Sequence, residues 1–175
     1  VDVSGSMQMP EKLPLVKASL AMLARNLTAK DRIAIAVYAG AAGLVLPPTR
    51  GDDVGTVLES LGRLEAGGST NGAQGLLLAY RTAREEFIPG GINRVILATD
   101  GDFNVGVTNQ GDLIRLIEEQ RESSVMLSVL GYGRGNLKDS TMEKLADRGN
   151  GNYAYIDTLA EARKVLVEQA GGTLV

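Results

Sequence analysis

Asp2, Ser4 and Ser6 are the residues of this 175-residue chain whose types and spacing come nearest to chemistry. They sit in Val1-Asp2-Val3-Ser4-Gly5-Ser6-Met7, where a short apolar strand end breaks into a turn bearing one carboxylate and two hydroxyls. Oxygen side chains at alternate positions can converge on one point as the chain leaves a strand. Gly5 permits the tight backbone path that turns both hydroxyls the same way. This is a cation site in outline, and one carboxylate with two hydroxyls does not complete it.

A second carboxylate leaves a second strand. Ile92–Thr99, with Val95, Ile96, Leu97 and Ala98, reads as a buried strand that delivers Asp100-Gly101-Asp102 at its end. Asp100, Asp102 and Asn104 have the spacing of a calcium-binding helix-loop-helix, but the glycine falls at the seventh place, Gly106, and the twelfth is Gly111 rather than Glu. That reading fails. A third polar loop, Ala66-Gly67-Gly68-Ser69-Thr70-Asn71-Gly72, opens directly into a helical stripe. Small polar residues in that position are usually helix caps. Gly131-Tyr132-Gly133-Arg134-Gly135 does not match G-x-G-x-x-G and precedes no helical stripe, so it carries no dinucleotide-binding reading.

Absences narrow the chemistry further. The chain has no His and no Cys, which removes a Ser-His-Asp triad, a cysteine nucleophile, His/Cys zinc ligation and any disulfide. The net charge of −3, without a basic run, argues against a nucleic-acid partner. No stretch approaches the ~20 consecutive apolar residues of a membrane span. A strand that ends at Val3 should begin several residues earlier, so the chain is expected to be one domain, residues 1–175, cut from a longer protein with its first strand truncated.

The elements that must position these residues alternate between strand and helix. Leu13, Val16, Leu20, Leu23 and Leu27 predict a helix from about Pro10 to Leu27. Arg32–Tyr38 and Leu44-Val45-Leu46 predict a hairpin whose second arm is an antiparallel edge strand ended by Pro47 and Pro48. Val54–Leu64 is a helix capped by Asp52 or Asp53, Ala73–Phe87 a third, and Leu113–Ile117 the centre of a fourth. Val125–Leu130 and Tyr153–Ile156 are strands. Ser140 with Glu143, and Thr158 with Glu161, match capping boxes that start helices near Thr141 and Leu159. The fold class is therefore α/β: a doubly wound, mostly parallel sheet with one antiparallel edge strand and helices on both faces. Ligands of such sheets bind beyond the carboxyl ends of the strands, where Asp2, Ser4, Ser6 and Asp100 fall.

Taken jointly, D-x-S-x-S at Asp2–Ser6, Thr70 in a Gly-rich loop and Asp100 after a strand resemble a von Willebrand factor type A (VWA) domain with its metal-ion-dependent adhesion site. The resemblance covers essentially the whole chain. Asp100-Gly101-Asp102-Phe103-Asn104-Val105-Gly106 is similar to bacterial envelope members, some called chloride-channel homologues; no channel function follows without a segment able to span a membrane. The resemblance implies that Ser4 and Ser6 bind a cation directly, Thr70 directly or through water, and Asp2 and Asp100 mostly through water. An oxygen-only donor set suits Mg²⁺, Mn²⁺ or Ca²⁺. It implies a divalent-metal-dependent protein-binding module, not an enzyme, whose partner supplies an Asp or Glu to the metal, and a cell-envelope location. In some relatives the last helix, here about Leu159–Ala170, shifts on ligand binding. One alternative is a structural or assembly domain beside an AAA-type ATPase. Another is a Mg²⁺-dependent phosphohydrolase, which needs an acid/base Asp where Ser4 stands.

Overall fold

The computed structural model describes residues 1–101, 110–133 and 139–168. Asp102, Asn104, Gly106, Arg134, Gly135 and the last helix beyond Glu168 lie outside the described residues. A 3₁₀ turn at Gly5–Gln8 leads into α1 (Leu13–Ala24), then β1 (Arg32–Tyr38), β2 (Ala42–Arg50), α2 (Val54–Gly62) and α3 (Gly72–Glu85). The second half runs β3 (Arg94–Thr99), α4 (Gln110–Arg121), β4 (Met126–Tyr132), α5 (Asp139–Arg148), β5 (Tyr153–Ile156) and α6 (Leu159–Arg163). A π-helical turn, Lys164–Glu168, continues α6.

The strands pair as the alternation of elements requires. β1 and β2 form the expected antiparallel hairpin, although β2 runs through Pro47 and Pro48 to Arg50 instead of ending at them, and β3, β4 and β5 form a parallel ladder in that order. Among the described residues no ladder joins β1 directly to β3; the opening segment links them. Val1 and Val3 bond to β1, through Tyr38 N–H to Val1 O (3.1 Å) and Val3 N–H to Tyr38 O (3.0 Å). Asp2 N–H turns the other way, to Ala98 O of β3 (2.8 Å). Below Val1 a cleft of about 860 Å³ separates the two strands, lined by Ile33 and Ile35 on one side and Val95 and Leu97 on the other.

Successive residues of the central strands point to opposite faces and feed two cores. Ala98, Leu130 and Tyr132 join Leu13, Val16 and Leu20 of α1, Leu61 of α2 and Leu166 of the last turn. Val95, Leu97, Leu127 and Val129 join Leu76 and Tyr80 of α3, Ile117 of α4 and Leu145 of α5. Helices thus cover both faces.

Several local expectations are sharpened or corrected. α1 begins at Leu13 rather than Pro10, because Pro14 suits the first helical turn while Pro10 and Glu11 lie in a preceding turn. Asp53 caps α2, accepting from Thr56 N–H (3.3 Å), whereas Asp52 pairs with Arg50 (2.8 Å). Thr158 accepts from Glu161 N–H (3.2 Å) and starts α6 as expected. Ser140 does not cap: α5 already includes Asp139, so Ser140 lies within the helix.

Candidate functional site

The backbone brings two loops together before any side chain acts. Ser4 accepts from Met7 N–H (3.0 Å), closing the 3₁₀ turn, and the fully buried Met7 anchors that turn in the core. The Gly-rich loop then lies along it: Gly67 N–H donates to Val3 O (2.8 Å), and Gly5 N–H donates to Gly68 O (3.1 Å). Gly68 holds φ +79°, the left-handed region that glycine occupies without a Cβ penalty. Asn71 stands at the start of α3 but makes no side-chain cap, so this loop docks against the turn rather than capping the helix.

The side chains converge at the carboxyl ends of β1 and β3. Asp2 is fully buried, and its two oxygens accept from Ser4 N–H (2.9 Å) and from the Thr99 hydroxyl (3.0 Å). Burial pushes the Asp2 carboxyl above its ordinary range; the bonds from Ser4 and Thr99 oppose that rise, and the Asp100 charge adds to it. The Ser4 and Ser6 hydroxyls lie 3.1 Å apart, with Ser4 buried and Ser6 open to solvent. Lys12 Nζ donates to the Ser6 carbonyl oxygen (2.9 Å) and to Asp100 Oδ2 (2.9 Å), crossing the site from α1's approach to the end of β3. Asp2, Ser4, Ser6 and Asp100 are therefore one cluster. Thr70 stands two residues beyond the docked Gly68, half-buried, and makes no hydrogen bond to the other four among the described residues.

Three participants were not evident from residue spacing. Thr99 reads as the last residue of a strand, Lys12 as part of the first helix, and Tyr38 as a strand terminus. Only the pairing of the opening segment between β1 and β3 sets all three around Asp2 and Asp100. Burial and then the Asp2 charge push the Tyr38 phenol well above its ordinary range.

The whole of residues 1–169 matches the family model for the von Willebrand factor type A domain. The chain belongs to that family. The protein YfbK of Escherichia coli K12 is 49% identical over 166 residues, which cover 95% of this chain and 29% of that protein. The VWA domain thus spans less than a third of that curated relative's length. An aerotolerance-related membrane protein from Bacteroides fragilis shares the fold with a TM-score of 0.78 at 22% identity, covering 97% of this chain and 95% of that one. Proximal thread matrix protein 1 of the mussel byssus, solved with a zinc-occupied metal-ion-dependent adhesion motif, superposes with a TM-score of 0.73 at 17% identity, covering 94% and 44%.

The VWA domain's glycine at the start of α3 ties this helix to the site. A Cβ on Gly75 would lie 2.5 Å from Tyr38 Cδ1 and 2.8 Å from its Cβ, and Tyr38 is 2% exposed. Alanine gains about 1 kcal/mol of helix propensity over glycine, but overpacking a rigid core costs about 1–3 kcal/mol. The steric cost matches or exceeds that gain, so Gly75→Ala is expected to lower the urea midpoint by an amount equivalent to up to about 2 kcal/mol. A higher midpoint would show that Tyr38 yields.

Proposed function

We infer that this VWA domain is a divalent-metal-dependent protein-binding module, with Asp2, Ser4, Ser6, Thr70 and Asp100 as its metal residues. The observation that carries the reading is the Ser4–Ser6 hydroxyl pair, 3.1 Å apart beside two buried carboxylates. Neighbouring donors on an octahedral ion with bonds of about 2.0–2.1 Å lie roughly 2.8–3.0 Å apart, so the two hydroxyls can share one ion with little movement. A positive charge is already accommodated at this place, since the Lys12 ammonium rests on Asp100 and on the Ser6 carbonyl. The donors are hard oxygens, in keeping with Mg²⁺ or Mn²⁺ rather than a soft metal.

When bound, the ion supplies an electrophilic centre for an outside oxygen. Each Asp2 oxygen already accepts a hydrogen bond, from Ser4 N–H and from Thr99, and with the hydroxyls as the direct donors, as the family resemblance implies, charge neutralisation at the ion is incomplete. A carboxylate from a partner's Asp or Glu supplies the missing negative charge. Because the acid/base carboxylate that a phosphohydrolase would need is lacking, with Ser4 in its place, binding rather than catalysis is the role assigned. A cell-envelope location accompanies this reading, supported by the likeness to the membrane protein from Bacteroides fragilis, and fractionation of cells making the full-length protein checks it.

Titration calorimetry with Mn²⁺ tests the site, and acetate, the smallest carboxylate, tests its completion by a partner. Saturable one-site Mn²⁺ binding that tightens in acetate relative to chloride at equal ionic strength is the expected result. Mn²⁺ binding indifferent to acetate would remove the acidic partner, and no Mn²⁺ binding would remove the metal.

A further inference from the structure

Lys12 stands at the site, and the metal reading does not use it. Its ammonium is held by two groups at once, Asp100 Oδ2 and the Ser6 carbonyl oxygen, each at 2.9 Å. The side chain is 15% exposed and Asp100's 3%, so the pair is shielded from solvent on the carboxylate side and open on the lysine side. Its hydrocarbon stem lies on Gly133, where a Cβ would come 2.7 Å from Lys12 Cε and 3.0 Å from Cγ. Gly133 holds φ +92° at the end of β4, which suits glycine and leaves the floor free for that stem. The glycine run that carries no phosphate-binding pattern thus has a structural use here: it seats a lysine across the site.

We propose that Lys12 is a built-in counter-cation of the metal-free site, which neutralises Asp100 until a divalent ion arrives and must swing out toward solvent when it does. The proposal rests on the metal assignment made above. Two effects oppose each other. Lys12 holds Asp100 in place, which favours a cation that uses that carboxylate; it also sets a positive charge against a doubly positive one, sharing the same carboxylate oxygen. Asp100 emerges directly from β3, and its buried position is set by that strand, so it gains little further order from Lys12. Repulsion in a partly desolvated site is the larger effect, since the charge product is twice that of the ion pair. Lysine can make the exchange because its ammonium sits on a flexible stem that is partly exposed. The consequence is a domain folded and ready without metal, with divalent affinity set lower than its oxygens alone would give.

Mn²⁺ calorimetry on wild type, Lys12→Met, Lys12→Gln and Lys12→Arg provides the test, with melting temperatures in chelator read alongside. Lys12→Met and Lys12→Gln are expected to bind Mn²⁺ at least about ten-fold more tightly than wild type and to melt lower in chelator, where Asp100 has lost its counter-charge. Lys12→Arg, which keeps the charge, stays within about three-fold of wild type. Glutamine keeps a polar head, so it remains a usable probe should the methionine variant fail to fold. Wild-type binding matched or exceeded in weakness by Lys12→Gln would overturn the role of Lys12 while leaving the metal site standing. Binding by the neutral variants alone would support it, with Lys12 then acting as a block. Failure of all four proteins to bind Mn²⁺ would remove the metal assignment and this role with it.

Discussion

Ser4→Ala and Asp100→Ala are each expected to abolish the rise in melting temperature that Mg²⁺ or Mn²⁺ gives the wild-type domain. A ligand at one hundred times its dissociation constant stabilises by about 2.7 kcal/mol. In a domain of this size that corresponds to a shift of roughly 5–11 °C, from about 2–4 °C per kcal/mol. Ser4→Ala is the cleaner probe. The Ser4 side chain contributes its bond to Ser6 Oγ and one to the Asp2 carboxylate, while the backbone bond to Asp2 and the turn to Met7 are independent of it. Its metal-free stability should fall by about 1–2 kcal/mol. Asp100→Ala also releases Lys12, whose stem lets the ammonium reach water, so the loss without metal stays well below that of a fully buried pair. Differential scanning fluorimetry with and without Mn²⁺ separates the two contributions. Wild-type metal response retained in both variants would sink the site assignment.

Gly151→Ala is expected to cause the largest loss of stability of any single-methyl addition considered. A Cβ at Gly151 would lie 1.9 Å from the Leu127 carbonyl oxygen, 2.4 Å from its carbonyl carbon and 3.0 Å from Ser128 N. These are backbone atoms of β4, and none can rotate away. Leu127 is fully buried and paired with Val95 in the β3–β4 ladder. The turn itself is pinned on both sides, by Leu127 N–H to Gly149 O and Gly151 N–H to Ala146 O, both 2.9 Å. Overpacking against backbone in this setting costs about 3 kcal/mol or more, a drop of roughly 6–12 °C in melting temperature. Gly55→Ala serves as the control, because nothing lies within 4 Å of a Cβ there and the residue is in α2. It should be neutral or stabilising by up to about 1 kcal/mol. Equal melting of the two variants would mean that the α5–β5 turn lifts off β4 at little cost.

Both predictions draw on features of different visibility. The strand and helix order could be read from the chain because apolar spacing reports which face of an element is buried, and that spacing survives whatever the element packs against. The antiparallel hairpin, the cap at Thr158 and the helices on both faces follow from such local patterns. Ser140 is the instructive failure: its capping-box match is as good as that of Thr158, yet α5 already includes the residue before it. A local motif records that a helix can start there and does not decide between competing starts.

The same division runs through the site. From residue types come the candidate donors Asp2, Ser4, Ser6 and Asp100, to which the family resemblance adds Thr70, and the exclusion of His- and Cys-based chemistry. The location of those four at the carboxyl ends of strands follows from the alternation of elements. Tertiary structure decided the rest. Asp2 faces Thr99 because Val1–Val3 bonds alternately to β1 and β3; the Gly67–Gly68 loop meets the Ser4 turn through backbone hydrogen bonds that no side-chain pattern encodes; and Lys12 reaches Asp100, 88 positions away, across the floor left by Gly133. Sequence spacing carries what depends on one element's own period. Contacts that depend on how separate strands register against each other arise only when the chain is folded, because register is set by the sum of many pairings and belongs to no single segment.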